Sequence, residues 1–579
     1  MDTDTDMAKA TATVSRSPES GGRYRHMSVP NLSPGLPLSG GLGWVARSLA
    51  LASSIVCLQP AHAQTLLGLR ADSPVTDTLS GLKITPRVSV SGTFTNNVAS
   101  SSTNPQSDLV LEAGPGVRMS SNGARLKLYL DYELTGLLYV QGNGGNQFRN
   151  ALDAFATVEA IENWGYVDVN AKISQQSISA FGQPALGNAS SNSNQTEVAT
   201  LRVSPYIKGN ANGLFDYAAR YSQSFSRSAS ERASDIDSVE AVATLRSPRV
   251  SRGLGWSVDA SHRAEDYSLG RSTRSDRLNG GVNYSLNREF ALSADAEQQS
   301  DNYRSGLRQS ISSQRYGVIW SPDADARLAV NHDTRGYTGF DINWAPTPRT
   351  KLTAMRALRS YGAVHSLAFE HRTRLTAISL RDSQDVASNV NRLVTASVGS
   401  LYDIYFSQFA SIEPDPVKRA ELTNAFLVAN GLNPNAPVTS GFLASGLTDQ
   451  RRQDLSFSLL GARTTLTLLA NRSTSKDILF LSDSNSEFRN ASLIRERGLS
   501  LTLSYRLTPL ATVNGIVARQ RVSGSLATQE TELHQYIMSV TNRLTDRISG
   551  LVELRRNVFY STTAPYNESS LMGKLIVQF

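Results

Sequence analysis

Side chains able to do chemistry are few in this sequence, and their spacing suits it badly. Five histidines follow residue 63: His262, His332, His365, His371 and His534. His365 and His371 share a strand parity, but they stand about 20 Å apart at the rise of an extended chain, too far to share one metal ion. No H-E-x-x-H pair is present. The single cysteine, Cys57, falls in a segment expected to be removed, which excludes disulfides and thiolate metal sites from the rest. No G-x-S-x-G elbow, P-loop or dinucleotide fingerprint rises above chance. Membrane barrels can be hydrolases with Ser and His on the rim, but no spacing here supports one. The expectation is a protein without metal or cofactor that is not an enzyme.

The charged residues are more informative, because they sit at alternate positions. In residues 126–134, Leu126, Leu128, Leu130, Tyr132 and Leu134 lie on one face of a strand; Lys127, Tyr129, Asp131 and Glu133 lie on the other. Residues 499–507 repeat the pattern, with Ser500, Thr502, Ser504 and Arg506 opposite the leucines. In 569–579, Leu571, Gly573, Leu575, Val577 and Phe579 oppose Lys574 and Gln578. A soluble sandwich gives the same alternation. If the apolar face meets lipid, charge is excluded from it at a cost of about 2–4 kcal/mol at the midplane. Parity then assigns Lys127, Asp131, Glu133, Arg315, Arg327, Arg506 and Lys574 to a wet lumen. The net charge is +7 with only nine lysines, so arginine dominates. A GC-rich genome accounts for that; so does a lumen suited to anions, since arginine forks carboxylates and phosphates. No basic run interleaved with aromatics points to nucleic acid.

The elements that must position these residues are strands. The chain has 579 residues, 40% apolar, without a run long enough for a membrane helix. Barrel strands escape hydropathy, because only alternate residues face lipid. Residues 1–63 read as an unstructured leader and secretory signal peptide, with small residues at Ala61 and Ala63 and cleavage before Gln64. A polar lead-in follows at 64–80. From Gly81 alternating segments are separated by tight turns (286–289, 321–325, 345–349, 508–509, 545–547) or long polar loops (99–107, 141–150, 183–196, 226–238, 475–493). Tyr284, Trp320, Trp344 and Tyr505 stand just before tight turns, where an apolar body meets water. The expected fold is all-β: a transmembrane antiparallel β-barrel of about 20–24 strands over 81–579. A helical insertion is expected at 413–447, with Asp415 as N-cap, Pro416 as first helical residue, an apolar stripe of Val417, Leu422, Ala425 and Phe426, and Gly431 as stop. Its place, inside the lumen or outside, is open.

Two resemblances follow from these residues. Leu575, Val577 and the terminal Phe579 resemble the C-terminal signal by which bacterial outer-membrane barrels are recognised for insertion, although that signal usually sets its glycine one residue closer to the end than Gly573. The signal peptide, the strand at 81–90, the Pro414, Asp415, Pro416 and 426–431 insertion and the closing strand together resemble the PEP-CTERM-system-associated outer-membrane proteins of exopolysaccharide loci. That resemblance implies an outer-membrane barrel serving exopolysaccharide export. Its implied partners are outer-membrane lipid, the barrel-assembly machinery, and an anionic polysaccharide with periplasmic export partners. A general diffusion porin, or a structural barrel binding through its long loops, are the alternatives. Alternation beginning by Gly81 disfavours an energy-coupled receptor with an N-terminal plug.

Overall fold

Alternating side chains and tight turns fold as neighbouring antiparallel strands, because each turn returns the chain beside the strand it has just left. The computed structural model describes residues 81–579 apart from 185, 187–188, 248–252, 269–271, 305–306, most of 388–414, 430–441, 444–446, 479–490 and 527. The expected leader 1–63, the lead-in 64–80 and the helix stop at Gly431 lie outside the described residues.

The first six strands are β1 Lys83–Thr95, β2 Asp108–Asn122, β3 Leu126–Tyr139, β4 Gln147–Ile161, β5 Gly165–Ser177 and β6 Gln195–Asn210. Then come β7 Asp216–Ser228, β8 Ile236–Arg246, β9 Leu254–Tyr267, β10 Thr273–Ser285, β11 Phe290–Arg304 and β12 Leu307–Asp323. The third group is β13 Ala326–Asp333, β14 Thr338–Thr347, β15 Thr350–Arg359, β16 Gly362–Arg372, β17 Thr376–Ala387 and β18 Thr448–Leu460. The last is β19 Thr464–Asp477, β20 Leu493–Arg506, β21 Ala511–Ser523, β22 Glu530–Arg543, β23 Ile548–Ser561 and β24 Tyr566–Gln578. Each strand pairs antiparallel with the next, and β24 returns to β1, from Arg87 opposite Gln578 to Thr95 opposite Ser570. The sheet is a closed barrel of 24 strands, the top of the expected range.

Connections at one end are short, such as 123–125, 324–325, 348–349, 461–463 and 507–510. In three of these turns a threonine hydroxyl bends the chain by accepting from two backbone amides: Thr373 from Leu375 and Thr376, Thr508 from Leu510 and Ala511, Thr545 from Arg547 and Ile548. The longest connections, 178–194 and 388–447, are at the other end. Several strands run further into the expected loops than the alternation suggests. β4 begins at Gln147, inside the expected loop 141–150, and β7 ends at Ser228 and β8 begins at Ile236, both inside 226–238.

The two faces are inverted relative to a soluble protein. On β20, Leu499, Leu501 and Leu503 are 52%, 40% and 45% exposed, while Ser500, Thr502 and Ser504 are 3%, 1% and 1% exposed. Tyr284, Trp320, Trp344 and Tyr505 stand on the apolar outer face at the turn end; Phe94, Phe148 and Tyr560 stand towards the other end. In water this arrangement exposes what should be buried. In a bilayer it places an apolar band against lipid between two aromatic girdles.

Leu501→Arg puts a charge into that band and should cost about 2–4 kcal/mol. The variant should show a reduced fast-migrating band in unheated electrophoresis, while Thr502→Val on the inner face should leave that band near the wild-type level.

Candidate functional site: a helix docked in the lumen

The connection between Ala387 of β17 and Thr448 of β18 starts and ends at the long-loop end. A helix of this connection, α1 (Pro416–Ala429), lies at the opposite end, inside the barrel. Its start explains why it forms. One Asp415 carboxylate oxygen accepts from the amides of Val417 (3.0 Å) and Lys418 (3.2 Å), and Pro416 fills the first turn without wasting a donor. The other oxygen meets the Lys127 ammonium at 2.5 Å. Lys127 is the second residue of β3, beside the short turn 123–125, so the segment has crossed the lumen to the turn end. Further contacts hold the helix there. Ser120 of β2 donates to Glu421 (2.9 Å), and Asn424 donates to the Tyr129 hydroxyl (2.7 Å).

Burial of the helix corrects the expected stripe. Val417, Ala420, Thr423 and Leu427 are fully buried with Asn424 beside them, whereas Leu422 and Ala425 are exposed. The stripe has helical spacing, but polar Thr423 and Asn424 occupy its centre, which hid it from a count of apolar residues.

Seven aromatic rings gather at this level. Tyr129 and Phe155 of the wall stack at 5.4 Å, and Tyr402 stacks on Tyr129 at 6.3 Å. Phe406 joins Phe155 and Tyr402; Tyr405 and Phe409 meet Phe426 of α1 at 4.7 and 5.3 Å. Ile516 of β21 and Ile537 of β22 complete the cluster, and the Tyr405 hydroxyl meets that of Thr467 on β19 at 2.8 Å. Burial pushes the Tyr405 phenol up to about 12. The Arg419 guanidinium lies 5.0 Å from the Phe406 ring centre and donates to the Glu413 carbonyl. Sequence reading missed these rings, although Tyr402, Tyr405, Phe406 and Phe409 carry a helical i, i+3, i+4, i+7 signature.

The charged residues singled out by parity fall into separate groups. Lys127 holds the start of α1 through Asp415, while Asp131, Glu133 and Lys574 belong to one ion-pair network on the neighbouring wall. Asp131 bridges Arg87 and Arg118, both at 2.6 Å, and Glu133 meets Arg87 at 3.0 Å and Lys574 at 3.7 Å. Arg315 lies elsewhere, 2.5 Å from the buried Glu297, which also pairs with Arg277 (2.9 Å) and Arg359 (3.0 Å). Arg327 pairs with Asp341 at 2.8 Å. Arg506 ends β20 on the inner face, without an acidic partner among the described residues. Leu575, Val577 and Phe579 lie on the opposite, outer face, with Phe579 67% exposed. Arg87, Arg118 and Glu297 were not foreseen, because their roles depend on neighbours in space.

A second inward loop covers the same side nearer the long-loop end. Leu186, from the β5–β6 connection, is buried among Leu533, Phe559 and Tyr566 of the inner face. Arg149 donates to the Ser190 carbonyl at 3.0 Å. Phe442, where the long connection returns, bridges to Ser177 and packs with Ile494 and Val522.

A closed antiparallel barrel with an apolar outer band, short turns at one end and polar, loop-filled interior is a bacterial outer-membrane β-barrel. No protein-family model matches the sequence, and no curated protein matches it. Among solved structures, it is similar to the FrpB iron transporter of Neisseria meningitidis at 11% identity, covering 87% of this chain and 84% of that one with a TM-score of 0.41. It is also similar to the siderophore receptor PirA of Pseudomonas aeruginosa (9% identity, 85% and 80% covered, TM-score 0.35). OccK8 (OprE) of Pseudomonas aeruginosa shares 11% identity over 86% of this chain and 98% of its own, with a TM-score of 0.30. Similarity of this degree carries no functional argument.

Docking of α1 has a defined acid dependence. Burial raises the Asp415 carboxyl, but the Lys127 ammonium and the two capping amides outweigh it and hold it below its ordinary 3.8. A depressed carboxylate contributes its full stability above 3.8 and loses it as pH falls through the lower folded value. Hydrogen exchange of the α1 amides should therefore be steady from neutral pH down to that ordinary value and lose protection below it. Asp415→Ala should remove about 1 kcal/mol of capping at neutral pH, or about fivefold in exchange rate. Asp415→Asn, which still caps, should keep most of the protection and lose the acid transition.

Proposed function

We propose that this barrel is a non-enzymatic outer-membrane conduit for exopolysaccharide, with the β17–β18 segment as its internal gate. One observation carries the proposal: a segment rooted at the long-loop end is docked at the turn end of the lumen through a few side-chain contacts. A segment packed in the lumen narrows the path, as a gated conduit requires. Aromatic faces bind the apolar faces of sugars, and carboxylates and guanidinium groups bind their hydroxyl and acid substituents. Withdrawal of the segment would uncover the wall rings Tyr129 and Phe155 beside Asp131 and Arg118, which supplies both chemistries. The resemblance to outer-membrane proteins of exopolysaccharide loci supports a polysaccharide cargo. Lipid and the assembly machinery act on the outer face, and periplasmic export partners meet the turn end.

Replacing 413–447 with a short Gly-Ser linker tests the gate. Loop closure entropy changes only slowly with length, so the barrel should still assemble. Single-channel conductance in planar bilayers should rise severalfold, and polymer export in cells should change. Unchanged conductance together with unchanged export defeats the proposal. Arg506→Glu should shift ion selectivity towards cations. Arg315 is a poorer probe, since its reversal leaves the buried Glu297 facing a like charge.

A further inference from the structure

The outer face of β18–β22 carries a basic row that the lumen does not explain. Arg472 of β19 stands directly opposite Arg497 of β20, and Arg497 directly opposite Arg521 of β21. Opposed residues of an antiparallel pair point to the same side, and this side is that of Leu499, Leu501 and Leu503. Arg495 lies two residues beyond Arg497 on the same side. All four are exposed. Arg521 pairs with Glu530, but among the described residues Arg472, Arg495 and Arg497 have no acidic partner.

Like charges directly opposite one another across strands destabilise a sheet. Arg521 is balanced on this face by Glu530 and by Glu532, which stands opposite it and pairs with Arg519 and His534, but Arg472 and Arg497, directly opposed, together with Arg495 call for an external counter-charge. Their height identifies it. Tyr505 marks the lower aromatic girdle, and Arg497 lies eight residues above it. That is about 26 Å along the strand, or about 20 Å along the barrel axis at the usual tilt. Arg495 adds about 5 Å. The two therefore reach up to the outer edge of an apolar band that is about 25 Å tall in such barrels. The long loops mark this edge as the cell-surface side. The feature is local. On β1–β3 the outer face stays apolar to the same end with Phe94, Leu109 and Val140. On β9–β10, His262 and Asp276 pair with each other at 2.6 Å.

We propose that Arg472, Arg495, Arg497 and Arg521 bind the phosphate groups of a phosphorylated glycolipid in the outer leaflet, of the lipid A type. Each guanidinium presents a planar fork that matches a phosphate bidentately. The glycolipid's acyl chains then lie over Leu468, Leu499 and Leu501 directly below. The opposed charges, costly alone, become the walls of a diphosphate site.

The test uses the folded barrel purified in zwitterionic detergent, with diphosphoryl lipid A, dephosphorylated lipid A and inorganic phosphate as separate probes. The readouts are the temperature at which the unheated band is lost and the lipid retained in native mass spectra. Diphosphoryl lipid A should raise that temperature by several degrees and remain bound one or two molecules per barrel. The other two probes should do neither. The triple variant Arg472→Gln, Arg495→Gln, Arg497→Gln should lose the response while keeping its β-sheet circular dichroism. An equal response to dephosphorylated lipid A, or to inorganic phosphate, overturns the proposal, as does a full response by the triple variant. If the triple variant does not assemble, Arg497→Gln alone should weaken retention about tenfold, and wild-type retention by it is equally fatal.

Discussion

Hydrocarbon offers a backbone amide no water to bond, and each unpaired group costs several kcal/mol. The closing ladder of β1 with β24 is the answer to that constraint, and the remaining architecture depends on it. Once no edge is left, every strand has one face towards lipid and one towards the interior. The side-chain rule is then set by solvent on each side: leucine and tyrosine outwards, serine and threonine inwards. Closure by sequential neighbours needs only short turns, which is why three or four residues with a capping threonine suffice at one end.

Closure also creates a problem. Barrel diameter grows with strand number, and 24 strands enclose far more space than their own side chains fill. The chain fills one side of it with its longest connections. The β5–β6 loop buries Leu186 against β22–β24, and the β17–β18 segment lays α1 and its aromatic neighbours against β2–β4 and β19–β22. The sector around β5–β15 is lined with self-paired charges, such as Arg220 with Asp168 and the three arginines around Glu297. Such pairs satisfy the polar groups of the inner wall among themselves.

What the sequence disclosed follows from what alternation can carry. Period two assigns each residue a side of its strand, so the apolar and polar faces of 126–134 and 499–507 could be read directly. The helix start was readable too, because an aspartate before a proline is a local signal whose partners, the amides of Val417 and Lys418, are two and three residues away. Two things were not readable. Strand ends on the cell-surface side were set too short, since hydrogen bonding continues through polar residues such as Arg227 and Asp237 after the apolar rhythm stops. Meetings across the lumen were invisible as well. Nothing local joins Lys127 to Asp415, 288 residues on, or Arg359 to Glu297, four strands away.

The depth at which α1 docks has an energetic meaning. Its buried face is modest: Val417, Ala420 and Leu427, with Thr423 and Asn424 between them. Burying a valine or leucine contributes about 1.5–3 kcal/mol each, and a partly exposed pair such as Asp415 with Lys127 about 0–1 kcal/mol. The aromatic contacts add about 0.5–1.5 kcal/mol apiece. Against these stands the entropy of ordering the segment. These contacts are few beside the hydrogen-bond ladders of 24 strands, so loss of the seat would leave the wall closed. Both ends of the connection remain tied to β17 and β18, which keeps the released segment near its site and makes return an intramolecular step. A separately folded plug of larger buried area holds more firmly. A tethered helix with a small apolar face and three polar anchors is consistent with the gate proposed for this segment.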